Sequence, residues 1–145
     1  MNRVNNNLYF YKNYFQSINN LLGSKDLPQS IIFSGEDGLG KKTFLLHFFA
    51  YSLLDELEKK QYLKSFIMKD LNIFKKLVNN ELANFKIIEK RDKNSSIQVD
   101  QIREMISFCS YEASFFTPRF ILISNIEDLN SSATNSLLKI LEEPP

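Results

Sequence analysis

The chain is poor in the residues that staple, ligate or switch small proteins. It contains one cysteine, Cys109, one histidine, His47, and no tryptophan. A lone cysteine excludes an internal disulfide framework and a four-cysteine zinc site, and it fits a reducing cytoplasm. No apolar run is long enough to span a bilayer, and the opening MNRVNNN does not read as a signal peptide. Neither sign of charge prevails. Lys and Arg number 18 against 17 Asp and Glu, a net of +1, so no global field draws the chain onto nucleic acid or a membrane. What is present is ordinary globular material: 145 residues, 43% apolar and 24% charged, enough for one domain with a sizeable core.

Glycine is also scarce, with four in all, and Gly35, Gly38 and Gly40 fall together in GEDGLGKKT. That stretch is almost the phosphate-binding pattern G-x-x-x-x-G-K-[ST]. The outer glycines and Lys41 are in place, but Lys42 occupies the Ser/Thr position and Thr43 follows one residue late. In a working loop, glycines turn successive backbone N–H groups toward one centre. The helix start adds a positive end, and the lysine adds a point charge. The missing hydroxyl is the one that gives an oxygen to magnesium. Lys42 offers no oxygen there, and Thr43 lies about 100° further round the helix.

Periodicity places the loop. Phe10, Tyr14, Phe15, Ile18, Leu21 and Leu22 recur at helical spacing, with Gly23 as a stop. The segment SIIFSG reads as a buried strand leading into the loop. The helix from Lys41 to about Leu54 is apolar on nearly every face and is expected to be packed all round. Residues 60–82 read as a second helical stretch with Leu63, Ile67, Leu71, Phe74 and Val78 buried. NFKIIEK reads as a strand and RDKNSS as a turn. In the next helix, Val99, Ile102, Ile106 and Cys109 form one face, and RFILIS is a third strand. Asn130 caps a last helix burying Ala133, Leu137, Ile140 and Leu141, and Pro144 and Pro145 stop it. Strands alternating with helices give an α/β fold with a parallel sheet between helices.

Three stretches together resemble a known family. LPQSIIFSGEDGLGKKTFLLHFFAYSLL, SSIQVDQIREMISF and RFILISNIEDLNSSATNSLLKILEEPP are similar to bacterial DNA polymerase III clamp-loader subunits of the AAA+ class, of the delta-prime type. VDQIREM and NSLLKILEEPP carry most of the likeness, which runs from about Tyr11 to the end. The resemblance implies a RecA-like AAA+ P-loop core, with residues 1–145 as its N-terminal part and the lid and collar domains absent. It implies a role in loading the sliding clamp onto primed DNA, in the cytoplasm, beside tau/gamma-type and delta-type subunits. Delta-prime subunits have impaired ATP sites, and their neighbours hydrolyse ATP. The ungapped tail sets Ser124 on the usual metal-binding Asp, Asn125 on the usual catalytic Glu, and Glu127 on the last acid of the box.

The expected function is therefore a subunit without intrinsic ATPase activity, within the DNA-directed DNA polymerase holoenzyme. Gly35, Gly38, Gly40, Lys41, Lys42 and Thr43 form a degenerate phosphate loop that requires no cofactor and holds ATP or ADP at most weakly, without magnesium. No catalytic or metal-ligating residue is assigned. Two alternatives stand beside this: an ATPase of the same superfamily using Thr43 and Glu127 as displaced ligands, and a stand-alone nucleotide-binding regulator. The sequence departs from the family in two places. Residues 55–82 replace a zinc module, and the chain ends before the family's first sensor strand. That strand would lie between SIIFS and RFILIS, so both are expected to expose unpaired backbone and apolar side chains, with poor solubility. Cys109 and His47 are expected in the core. The lysines of residues 59–76 read as a solvated face, with a DNA-binding stripe as the alternative. Glu142 and Glu143 oppose the helix dipole and are expected to meet a neighbouring subunit.

Overall fold

The computed structural model describes residues 5, 7–9, 11–22, 28–110 and 119–143. The chain divides into two compact units, Met1–Leu77 and Val78–Pro145.

The first unit is helical. It contains α1 (Lys12–Leu22), α2 (Lys41–Ser52), α3 (Glu56–Ser65) and all but the last residue of α4 (Leu71–Val78). Phe15 of α1 is fully buried and meets Phe44, Phe48, Tyr51, Tyr62 and Phe66, with ring centroids 5.2–6.0 Å apart. Aromatic edges packed on faces supply much of this core. As expected, α2 is buried all round: Phe44, Leu46, His47, Phe48, Phe49, Ala50 and Tyr51 are all inside. Tyr14, expected inside, is exposed, and Phe10 and Gly23 lie outside the described residues.

Two expectations fail here. The strand expected over SIIFSG does not form: residues 30–36 carry no strand, and Ile31 and Ile32 are 43% and 75% exposed. An apolar run becomes a strand only with a ladder partner, and no described segment is paired with this one. The single helix expected over residues 60–82 is two. Phe66 turns left-handed (φ 55°) and closes α3, and Ile67 bridges antiparallel to Asn7. The break shifts the helical phase. Tyr62, Phe66, Met68, Phe74 and Leu77 are buried, while Ile67, Leu71 and Val78 are exposed.

The second unit is α/β. β1 (Phe85–Ile88) and β2 (Phe120–Ile123) pair in parallel with Phe85 opposite Phe120. They are joined through α5 (Val99–Ser110), and a 3-10 turn (Ile126–Asp128) leads to α6 (Ser131–Glu142). Ile88, Ile97, Ile102, Met105 and Ala133 form the core, with Ile121, Ile123, Leu129, Leu137 and Ile140 packed against it. On α5, Met105 takes the buried place expected for Ile106 and Cys109, which are half-buried; on α6, Leu141 is exposed. The outer edge of β1 is closed by a side chain. Asn80, held left-handed at φ 55°, accepts from Ile87 N (2.6 Å) and donates to Ile87 O (3.1 Å). A primary amide thus stands in for a neighbouring strand.

Candidate phosphate loop and strand-end site

The glycine loop leaves residues 28–36 and enters α2. Gly38 and Gly40 both sit at φ 83°, and Gly35 at φ 153°. A Cβ on Gly38 or Gly40 would meet nothing within 4 Å, so it is backbone conformation, not space, that asks for glycine there. Lys41 reaches back from the first turn of α2, and its Nζ donates to the carbonyls of Gly35 and, at 2.9 Å, of Glu36. From the other side, Tyr11 Oη donates to Leu39 O at 3.0 Å. α2 begins with no acid in its first turn and no side-chain cap. Its leading N–H groups and the ammonium of Lys41 are therefore the groups that could meet an anion. Lys42 and Thr43 occupy the first turn behind Lys41 and are half-buried.

The family's metal-binding acids would stand at the end of β2. There Ser124 N bonds Ile88 O at 3.0 Å, continuing the ladder by one residue, and Ser124 Oγ donates to Glu89 Oε2 at 3.3 Å. Asn125 Nδ2 donates to one oxygen of Asp128 (3.2 Å), and Lys90 Nζ holds the other (3.2 Å). The Asn125 hydrogen bond, then the Lys90 contact, keep the Asp128 carboxyl below the usual carboxylate range. Glu127 is exposed in the 3-10 turn. Among the described residues no three His, Cys, Asp or Glu side chains converge on a point that could hold a metal ion. At the positions of the family's acids the strand end offers only the neutral oxygens of Ser124 and Asn125; of the nearby carboxylates, Glu89 accepts from Ser124 and Asp128 is tied by an amide and an ammonium.

One of the two motifs that carry the family likeness has a structural role that its residue types did not announce. In VDQIRE, Gln101 Oε1 accepts from Gln98 N (3.1 Å) and its Nε2 donates to Glu89 O (2.9 Å). Asp100 pairs with Arg91 at 2.6 Å, and Ile102 is fully buried. Gln98 Oε1 also accepts from Asn130 Nδ2 (2.9 Å), and Asn130 Oδ1 caps α6 by accepting from Ala133 N (2.8 Å). With Gln98 just ahead of it, the motif therefore braces the end of β1 and the starts of α5 and α6. The Gln-x-x-Gln spacing at a helix start was the available signal, a variant of the capping box.

The remaining candidates have structural environments. His47 is buried between Tyr62 Oη and Asn5 O, each at 2.8 Å. Cys109 is half-buried, and desolvation raises its thiol pKa, opposed by Arg119. A groove of 310 Å³ along β1 is lined by Lys86, Lys90 and Arg91, and each is matched by a carboxylate, Glu104, Asp128 and Asp100 respectively. Lys59 pairs with Glu56 at 3.1 Å, and Lys69 donates to Gln61 at 3.0 Å, as a solvated helix face does.

Comparison with known proteins agrees with the motifs. Residues 11–145 match the family described as DNA polymerase III, delta subunit. A curated relative, the DNA polymerase III subunit delta' of Pseudomonas aeruginosa, is 34% identical over 58 residues, covering 40% of this chain and 18% of that protein. Less than two thirds of the relative's length is therefore represented. With a match extending over all but the first ten residues, the chain belongs to the DNA polymerase III delta-subunit family.

Proposed function

We propose that the chain is a non-hydrolysing clamp-loader subunit built on an AAA+ core, assisting its neighbours in placing the sliding clamp on primed DNA in the cytoplasm. The observation that carries this reading is the end of β2. By the resemblance, Ser124 and Asn125 fall where a hydrolysing relative needs two carboxylates, and the reading is supported by both being engaged, with Glu89 and Asp128. Lys42 in place of a hydroxyl residue adds a third loss. The Lys41 brace and the loop glycines support weak retention of ATP or ADP without magnesium. The exposed Leu138 and Leu141, next to Glu142 and Glu143 at the end of α6, support contact with a tau/gamma-type or delta-type neighbour.

The test is ATP turnover with and without magnesium, on the chain alone and after mixing with tau/gamma-type and delta-type subunits. The expected result is no turnover by the chain alone and co-elution with the other subunits. Magnesium-dependent turnover that is lost in Glu127→Gln and kept in Ser124→Ala would replace this reading with that of an ATPase using displaced ligands.

A further inference from the structure

The glycine loop is held from outside by a residue that the phosphate-loop pattern does not contain. Tyr11 lies 28 residues before Leu39 and sends its hydroxyl to the Leu39 carbonyl at 3.0 Å. Leu39 sits between Gly38 and Gly40, both at φ 83°. That carbonyl therefore belongs to the most pliable part of the loop. Tyr11 itself is at φ 73°, a conformation that residues with a side chain rarely adopt, and its carbonyl accepts from Phe15 N at 2.9 Å to open α1. Its ring stands edge-on to Phe44 on the first turns of α2 (centroids 6.1 Å, planes 82°) and tilted against Tyr14 (6.1 Å, 58°). The ring is thus packed against the helix that the loop enters, and the hydroxyl reaches the last carbonyl but one before that helix.

A peptide group is planar, so fixing one C=O fixes the N–H that follows it, facing the opposite way. Lys41 holds the carbonyls of Gly35 and Glu36, which sets the amides of Glu36 and Asp37. Tyr11 holds the carbonyl of Leu39, which sets the amide of Gly40. The first half of the loop is braced by the loop's own lysine. The second half, where both left-handed glycines lie, is braced by Tyr11.

We propose that Tyr11 is a positioning residue of the phosphate loop, and that its hydroxyl orients the Gly40 amide for a phosphate group. This rests on the phosphate-loop reading for its ligand, but not for its geometry. The segment leading to Tyr11 is itself anchored. His47 Nε2 donates to Asn5 O (2.8 Å), Asn7 bridges to Ile67, and Leu8 N donates to Phe66 O (2.9 Å). Tyr11 therefore links an N-terminal strap, fastened to the aromatic core, to the loop.

Tyr11→Phe keeps the ring and removes the donor. In the ligand-free chain, ¹⁵N relaxation should show lower order parameters for the Leu39 and Gly40 amides, with those of Phe44–Tyr51 unchanged and the melting temperature close to that of the parent. In titrations with ADP in EDTA, and separately with inorganic phosphate, the variant should bind about fivefold more weakly, the loss expected for one hydrogen bond. Unchanged loop order parameters would overturn the proposal. Lower order parameters with undiminished ADP and phosphate binding would overturn the role in positioning a ligand. Failure of the parent chain to bind either probe would overturn the phosphate-loop reading, and the relaxation comparison would still decide whether Tyr11 orients the loop.

Discussion

His47 shows how one residue's surroundings fix its chemistry. Asn5 offers His47 Nε2 a carbonyl, which can only accept, so Nε2 carries the proton. Nδ1 is then the acceptor for the Tyr62 hydroxyl at 2.8 Å. The imidazole is neutral and fully satisfied. Desolvation lowers its pKa from 6.5, with the Asn5 hydrogen bond opposing, and burial raises the pKa of the Tyr62 phenol. With the folded pKa below the unfolded one, the unfolded chain binds more protons as pH falls. The stability from His47 is complete above the unfolded value of 6.5 and is lost progressively below it. A denaturation series from pH 8 to 5 should therefore show a stability plateau followed by a decline. His47→Gln should be less stable on the plateau, by roughly 1–3 kcal/mol for unsatisfied partners, and should show a shallower decline. An equally steep decline in the variant would assign the acid sensitivity to other groups. The loop glycines make a second residue-scale case. Gly40→Ala forces a side chain into φ 83° and should cost roughly 1–2 kcal/mol in thermal denaturation, although the space around it is open.

At the scale of elements, caps and breaks decide more than periodicity does. α3 begins with a capping box, in which Asp55 accepts from Glu58 N (2.8 Å) and Glu58 accepts from Asp55 N (3.1 Å). It ends at Phe66, whose left-handed turn no propensity argument points to. The burial expected for Leu63, Ile67, Leu71, Phe74 and Val78 assumed one unbroken helix; with the break, Phe74 is buried, Leu63 is half-buried, and Ile67, Leu71 and Val78 are exposed. α2 was legible because an all-apolar helix has no phase to mistake. The parallel pair β1 and β2 was legible from two short β-branched runs separated by a helical pattern. The Asn130 cap was also legible, because Asn ahead of an apolar-periodic run has a local cause. Its second bond, to Gln98, was not legible, since it joins residues 32 apart in the chain. Asn130→Ala removes both interactions and should destabilise the second unit by about 1–2 kcal/mol in a urea titration followed by far-UV circular dichroism. Asn130→Asp, which keeps the cap acceptor and loses the amide donor, should fall between the two.

At the scale of the whole molecule, the glycine turn leading into α2 was legible as a pattern, whereas the strand expected before it does not form. Glycines, a lysine and a helix start are local features. A strand needs a neighbour, and hydropathy cannot say whether one is present. SIIFSG carries the composition of a buried strand, yet Ile31 and Ile32 are 43% and 75% exposed in the described structure. The second unit avoids the same exposure on one side by spending Asn80 on the edge of β1. The segment ahead of the loop has only a partly buried Phe33, tilted against Phe44 with centroids 5.9 Å apart. Two consecutive exposed β-branched residues in a segment without a ladder partner are a template for association. Net charge of +1 gives little repulsion to oppose it. Replacing Ile32 with Lys should therefore raise the soluble yield and delay concentration-dependent light scattering, with the thermal midpoint shifted by less than about 0.5 kcal/mol equivalent, as for other exposed sites. The same change at the buried Leu46 should unfold the first unit. If Ile32→Lys destabilises the chain as a core substitution does, Ile32 is packed against a partner in solution, and the open segment before the loop is closed by association of the chain with itself or with another protein.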